Sequence, residues 1–102
     1  MNPIKQNGSM EIRKMYYVLV YDIASAKRLP KALKICRKFL YWIQNSVFEG
    51  ELTKSQYLDI KMQLLKVINK KEDSVIFFAI RNPQVVDKVI LGKEKNEISN
   101  FI

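Results

Sequence analysis

The chain has 102 residues and carries 18 Lys and Arg against 10 Asp and Glu, a net charge of +8. This length predicts one domain with one core, and the charge excess indicates a polyanionic partner, either nucleic acid or an anionic membrane surface. Histidine is absent and cysteine occurs once, which excludes Ser-His-Asp and Cys-His catalysis, an internal disulfide and cysteine-rich zinc sites.

The apolar runs are shorter than the ~20 residues of a membrane helix. The N-terminus also lacks the pattern of a signal peptide. We therefore expect a cytoplasmic protein without a membrane partner. Residues 1–14 show no periodic pattern and are interpreted as a leader or tag-like segment outside the core, so that residues 15–102 form a single domain.

The first predicted strand and helix follow directly. "MYYVLVYD", residues 15–22, is aromatic and β-branched and predicts a strand that ends at an aspartate. Residues 27–42 predict a helix, because apolar side chains recur at spacings of three and four. Those apolar positions are Leu29, Leu33, Cys36, Leu40 and Ile43, which makes Cys36 a buried small hydrophobe.

The rest of the chain predicts three more strands, a second helix and a tail. A strand over 43–49 is expected to turn at Gly50. A capping box of Thr53 and Gln56 then starts a helix that Asn69 ends in a left-handed turn. Residues 73–80 predict a third strand, and after the break at Asn82-Pro83 residues 85–92 predict a final strand followed by a polar tail over 93–102.

These elements run in the order strand, helix, strand, helix, strand, strand. We assign them to an α+β fold of the ferredoxin-like βαββαβ type, a sandwich in which an antiparallel sheet carries two helices on one face, with an extra C-terminal strand. The strands "YVLV" and "VIFFAI" are apolar on both faces, yet both helices cover the same face. A second copy of the chain is the favoured cover, which predicts a homodimer through the sheets. The alternative is a tail segment that folds back over the open face.

Basic side chains gather in one segment. Between Ile23 and Phe48 there is no acidic residue, and the basic ones are Lys27, Arg28, Lys31, Lys34, Arg37 and Lys38. The four lysines form one stripe of the first predicted helix, opposite its apolar face. One interpretation is a track for a phosphate backbone and the other is an ordinary solvated face.

Asp22 is the one carboxylate at the end of the apolar first strand. It either ends the strand in a local turn or binds a ligand. A two-fold axis near the first strands would pair two Asp22 side chains, and two carboxylates with phosphate oxygens suit Mg²⁺. Gln44, Asn45 and Ser46 would then place neutral hydrogen-bonding groups beside this charged site.

Longer stretches carry a family resemblance. "YYVLVYDI", a basic helix, "WIQNSVFEGELT", "DSVIFFAI" and "GKEKNEIS" resemble the CRISPR-associated protein two family, the small partners of the integrase in spacer acquisition. The resemblance covers residues 15–102 and implies a ferredoxin-like homodimer whose final strand completes the sheet across the dimer. It also implies an acquisition complex in which the dimer binds the integrase and double-stranded DNA.

The resemblance further implies a Mg²⁺-dependent endonuclease acting on RNA or double-stranded DNA. The family's metal-ligand aspartate falls on Asp22, and the serine and phenylalanine of its second-strand motif fall on Ser46 and Phe48, which are the expected catalytic residues. Trp42 stands where some members have a catalytic arginine, so that role does not carry over, and Arg37 is the substitute considered. Nucleic-acid binding is assigned to the six basic residues named above together with Gln44 and Asn45. The alternative function is a stand-alone, toxin-like ferredoxin-fold endoribonuclease or a nucleic-acid-binding regulator.

Overall fold

The computed structural model describes residues 13–95. Most of the predicted leader over 1–14 and of the tail over 93–102 therefore lies outside the described residues. The elements, in chain order, are β1 (Lys14–Asp22), α1 (Arg28–Phe39), β2 (Tyr41–Gln44), β3 (Val47–Thr53), α2 (Lys54–Val67) and β4 (Ser74–Ile80), followed by a 3-10 turn (Pro83–Val85). This βαββαβ order is the predicted ferredoxin-like α+β fold.

One antiparallel sheet has the strand order β2-β3-β1-β4, which puts β1 in its interior. Val18 of β1 lies opposite Glu49 of β3 on one side and Phe78 of β4 on the other. Because side chains alternate along a strand, every second residue of β1 points to the same face of the sheet. The register thus decides which side chains meet the helices.

The core lies between the sheet and the two helices. Leu19 of β1 and Phe48 of β3 are fully buried there, as is Ile60 of α2. At one end of this layer the rings of Tyr17 and Tyr57 stack with their centroids 4.6 Å apart. Burial of Tyr17, Leu19 and their neighbours on the helix side is what holds the two layers together.

The strand predicted over 43–49 is wrong in its bounds. The chain instead forms a hairpin in which Gln44 and Val47 are paired and Asn45 and Ser46 make the turn. Asn45 has φ 40°, a left-handed conformation that asparagine tolerates better than most residues. Gly50 is therefore inside β3 rather than at a turn. A Cβ there would lie 3.2 Å from Leu40 Cδ2, so the close approach of α1's end to the sheet favours glycine.

Helix α1 is shorter than the predicted 27–42. Leu40 is already extended, with φ −131°, because the chain turns there into β2. The buried side chains of α1 are Ala32, Ile35 and Cys36, whereas Leu29 is 42% exposed, so the face that packs is rotated from the expected one. The expected burial of Cys36 is confirmed.

The capping box of α2 is confirmed. Gln56 N donates to Thr53 Oγ1 at 3.1 Å and Thr53 N donates to Gln56 Oε1 at 2.9 Å. The left-handed end at Asn69 is wrong, since Ile68 is extended at the C-cap and Asn69 is not among the described residues with positive φ. Instead the Asn69 carbonyl accepts from Glu72 N and Asp73 N, which makes the turn into β4.

The strand predicted over 85–92 is not formed in the single chain. Val85 closes the 3-10 turn and the residues that follow, up to 91, have no regular secondary structure. Lys88 reaches Glu49 of β3 with its ammonium group and forms an ion pair. The segment after the 3-10 turn therefore contacts part of this sheet face, whereas most of the tail of the alternative interpretation lies outside the described residues.

The remainder of this sheet face stays open. Ile76 is 48% exposed and Phe78 is 54% exposed on β4, on the side without helices. Val18 and Val20 of β1 lie directly beside them in the register. Large apolar side chains gathered on one exposed face are typical of an interaction surface.

Candidate active site and nucleic-acid interface

A cleft of about 380 Å³ opens at the end of β1 where Asp22 lies. Asp22 is the last residue of β1 and is exposed. Tyr21 N donates to Ser46 O at 3.1 Å, and this bond holds the hairpin turn beside the end of β1. The cleft is lined by Tyr21, Asp22, Ile23, Leu29, Leu33, Trp42, Asn45 and Ser46. Of the predicted site residues, Asp22, Asn45 and Ser46 are therefore brought together.

Trp42 orders one wall of this cleft. Its Nε1 donates to Asn45 O at 2.9 Å, which ties the indole to the hairpin turn. The guanidinium carbon of Arg37 lies 5.2 Å from the centroid of the Trp42 ring, within the range of a cation–π contact. Arg37 is thus placed over Trp42 and is not among the residues that line the cleft.

Two other expected site residues have different positions. Phe48 is 0% exposed and its ring centroid lies 5.6 Å from that of Tyr21, so this side chain packs in the core, and its expected catalytic role stays a prediction. Its contribution is packing beneath the residue that precedes Asp22. Gln44 is exposed at the end of β2 but does not line the cleft.

The lysine stripe is exposed along α1 as predicted. Lys27, Lys31 and Lys34 are exposed, and within residues 13–95 none of the three forms an ion pair. Lys38 is also exposed and donates to Gln63 Oε1 of α2. Three like charges without acidic neighbours repel one another, which favours a counterion or polyanion at this surface.

Arg28 differs from the other basic residues of the segment. Its Nε donates to Asp73 Oδ2 at 2.7 Å, and its Nη2 donates to Asp73 Oδ1 and to Glu72 Oε1, each at 3.0 Å. The guanidinium is therefore engaged within the protein, and its structural role is to join the start of α1 to the turn before β4.

Asp73 was missed as a site residue because its position in "DSVIFFAI" suggests only the start of a strand. Its side chain is 0% exposed and accepts from Ala24 N at 2.8 Å and from Asn69 N at 2.8 Å, as well as from Arg28. The guanidinium of Arg28 is the main reason that the pKa of Asp73 lies well below its usual range, and the two backbone donors lower it further. The sequence signal that could have indicated the role of Asp73 is an acidic residue at the start of an apolar strand.

No group of three or more histidine, cysteine or acidic side chains that could hold a metal ion occurs among residues 13–95. Asp22 is thus the single carboxylate of the cleft. In the same part of the chain no helix is both long and apolar enough to cross a membrane.

The comparisons with known proteins converge on one family. Residues 15–88 match the family described as CRISPR associated protein Cas2. The chain is 46% identical over 83 residues to the CRISPR-associated endoribonuclease Cas2 of Thermotoga maritima, covering 81% of this chain and 94% of that protein. It is 45% identical over 83 residues to the protein of the same name from Dictyoglomus turgidum, with the same coverage.

Solved structures agree with the sequence relatives. A crystal structure titled as cas2 superposes with a TM-score of 0.73 at 34% identity, covering 81% of this chain and 92% of that one. The Cas2 of Streptococcus pyogenes, crystallised at pH 6.5, gives a TM-score of 0.65 at 33% identity, covering 74% of this chain and 99% of that one. Both likenesses cover about three quarters or more of this chain.

The ion pair of Asp73 predicts a dependence of stability on acid. The folded-state pKa of Asp73 is depressed, so its contribution is present above the ordinary carboxyl pKa of about 4 and is lost as the pH falls below it. We expect the free energy of unfolding, measured by urea denaturation, to fall as the pH drops below about 5. Asp73→Asn should flatten this dependence, whereas Asp59→Asn on the exposed side of α2 should retain it. If the free energy of unfolding of Asp73→Asn depends on pH as that of the wild type does, Asp73 is not the source of the acid sensitivity.

Proposed function

The chain belongs to the CRISPR associated protein Cas2 family, and on this premise we propose that it is a Mg²⁺-dependent endonuclease that binds double-stranded DNA as a homodimer in spacer acquisition. The observation that carries the proposal is the position of Asp22. It is an exposed carboxylate at the end of an interior strand, in a cleft shared with Asn45 and Ser46. The proposal includes the integrase as partner and the cytoplasm as location.

The homodimer is supported by the open face of the sheet. Val18, Val20, Ile76 and Phe78 lie side by side there, and the last two remain about half exposed despite the segment after the 3-10 turn. Apposition of two such faces would bury apolar side chains that the protomer leaves in water, Phe78 and Ile76 among them. By strand alternation Asp22 has the same parity as Val18 and Val20, so the two Asp22 carboxylates would approach each other at this interface.

The donor set of such a dimer fits a magnesium site. Mg²⁺ keeps several waters and uses one or two carboxylates together with substrate phosphate oxygens. One Asp22 from each protomer supplies two carboxylates, whereas Asp22 is the one carboxylate that lines the cleft of a single described protomer. When bound, the ion would stabilise negative charge on the phosphoryl oxygens and activate water.

The side chains of the cleft have separate roles in this proposal. The carboxylate of Asp22 would hold the cation, and the Ser46 hydroxyl and Asn45 amide would donate to phosphate oxygens without competing for it. Trp42 holds the turn that carries both of them through its bond to Asn45 O. The lysines of α1 would bind the flanking phosphates.

RNA is the first substrate to assay, because the relatives from Thermotoga maritima and Dictyoglomus turgidum are named endoribonucleases. Double-stranded DNA is the second. A stand-alone toxin-like endoribonuclease or regulator would have the same cleft, but its gene would not lie beside an integrase gene and a CRISPR array.

The tail is the candidate contact with the integrase, although residues 96–102 lie outside the described part of the chain. Copurification of the integrase with the full chain and with a chain lacking 93–102 distinguishes a tail contact from one made by the sheet or helices.

Asp22→Asn should abolish cleavage, because the variant loses the charge that holds Mg²⁺. Cleavage of labelled RNA and of double-stranded DNA is measured with Mg²⁺ and with EDTA, for the wild type, Asp22→Asn and the control Asp59→Asn. Asp59→Asn makes the same charge change on α2 and should cleave like the wild type. Cleavage that persists in purified Asp22→Asn would point to a contaminating nuclease and refute the site.

Neutralising the stripe should weaken duplex binding without affecting cleavage chemistry. If the homodimer makes about eight phosphate contacts, the slope of log affinity against log salt is about −7, and Lys31→Gln with Lys34→Gln removes about four of them and halves it. A salt titration of fluorescence anisotropy measures both slopes. The matched control is Lys54→Gln with Lys66→Gln on α2, both exposed, which should leave the slope unchanged.

A charge on the open face should separate the protomers. Phe78→Lys places an ammonium group in the proposed apolar interface, where burying an unpaired charge is costly. Analytical ultracentrifugation should show a dimer for the wild type and a monomer for this variant. Leu65→Lys, at a position 47% exposed on α2, should remain dimeric. A monomeric wild type at tens of micromolar would refute the homodimer.

A further inference from the structure

The geometry points to Asp73 as the positioning residue that fixes the loop after Asp22 and thereby the catalytic carboxylate itself. The inference rests on the proposed function for its catalytic consequence, but its structural part is independent of that function. Asp73 does not line the cleft of Asp22. It acts through the backbone that leaves β1.

The carboxylate of Asp73 joins three segments of the chain. Its Oδ1 accepts from Ala24 N, two residues beyond Asp22, at 2.8 Å. Its Oδ2 accepts from Asn69 N, just after α2, at 2.8 Å. Arg28 at the start of α1 donates to both oxygens, at 2.7 and 3.0 Å. The loop after β1, the turn after α2 and the start of α1 are thus held by one buried side chain just before β4.

The sheet alone does not hold the segment between Asp22 and α1. Asp22 pairs with Ser74 at the last position of the β1–β4 ladder, and no strand or helix residue follows before Arg28. Ser25 makes only local bonds to the start of α1, since its Oγ accepts from Lys27 N at 3.1 Å and from Arg28 N at 3.3 Å. Of the side-chain bonds described, the contact of Ala24 N with Asp73 is the one that anchors the loop to a distant part of the chain.

The anchor is charged, buried and bidentate, and these properties suit a positioning role. A hydrogen bond to an ionised acceptor is stronger than one between neutral groups, and Arg forms it in a fixed planar geometry. Asp73 is the main partner of Arg28, because it accepts from both Nε and Nη2. Glu72 accepts from Nη2 alone and is largely exposed. Loss of the Asp73 carboxylate would leave two backbone amides without their acceptor and the guanidinium with Glu72 alone.

The first experiment measures native-state hydrogen exchange of the amides from Ile23 to Lys27. In Asp73→Asn we expect this exchange to rise about tenfold or more, as loss of a hydrogen bond to a charged group predicts, while amides inside β1 change only with overall stability. Glu72→Gln, which removes the outer partner of Arg28, should exchange like the wild type. Ile60→Val lowers overall stability from the core and should not accelerate the loop selectively.

The second experiment separates positioning from substrate binding. In Asp73→Asn and Arg28→Lys, kcat for Mg²⁺-dependent cleavage should fall about tenfold or more with KM within about twofold of the wild type, because the phosphate-binding lysines are untouched. Ile60→Val should retain kcat. A selective rise in loop exchange with unchanged kcat in Asp73→Asn would overturn the inference, as would loop exchange that rises only in step with global unfolding.

The two experiments also distinguish this inference from the proposed function. If the wild type does not cleave, the nuclease proposal fails, and the exchange measurement still decides whether Asp73 fixes the loop. If the wild type cleaves and Asp22→Asn does not, kcat of the Asp73 variant decides whether the anchor reaches the catalytic carboxylate.

Discussion

The pairing of β1 with strands on both of its sides is the constraint on which the other features depend. Because β1 is an interior strand, its backbone groups are satisfied along most of its length, and its side chains are divided between the helix face and the open face. Tyr17, Leu19 and Tyr21 pack under the helices. The same alternation leaves Val18 and Val20 on the opposite side and brings Asp22 to the sheet's end. Core, open face and cleft therefore follow from one register.

The open face and the lysine stripe are on different sides of the protomer, and each leaves a free-energy cost in the single chain. Apolar side chains of β4 remain in water on one side, and like charges repel along α1 on the other. The segment held by the ion pair of Lys88 with Glu49 covers part of the open face. It reduces the first cost only in part, since it leaves Phe78 about half exposed. Homodimer formation and polyanion binding would relieve both, which is why one proposal accounts for two unrelated surfaces.

The sequence predicted the fold class and the location of the cleft because both depend on local patterns. Apolar runs marked β1 and β4, and the capping box marked the start of α2 to the residue. The hairpin was missed because its turn, Asn45 and Ser46, contains no glycine and lies within a run of strand-like residues. The turn was predicted at Gly50 instead. The roles of Arg28 and Asp73 were missed for a different reason. Their contact spans 45 positions in the chain, and only the folded topology brings them together.

Cys36 has a consequence of its own. It is the one thiol of the chain, it is 0% exposed between α1 and the sheet, and burial raises its pKa to about 12. A maleimide or disulfide reagent reaches such a sulfur only while the helix layer has separated from the strands. The rate of alkylation therefore measures how often the hydrophobic interior opens. The measurement needs no engineered cysteine and no change to the cleft or the basic surface.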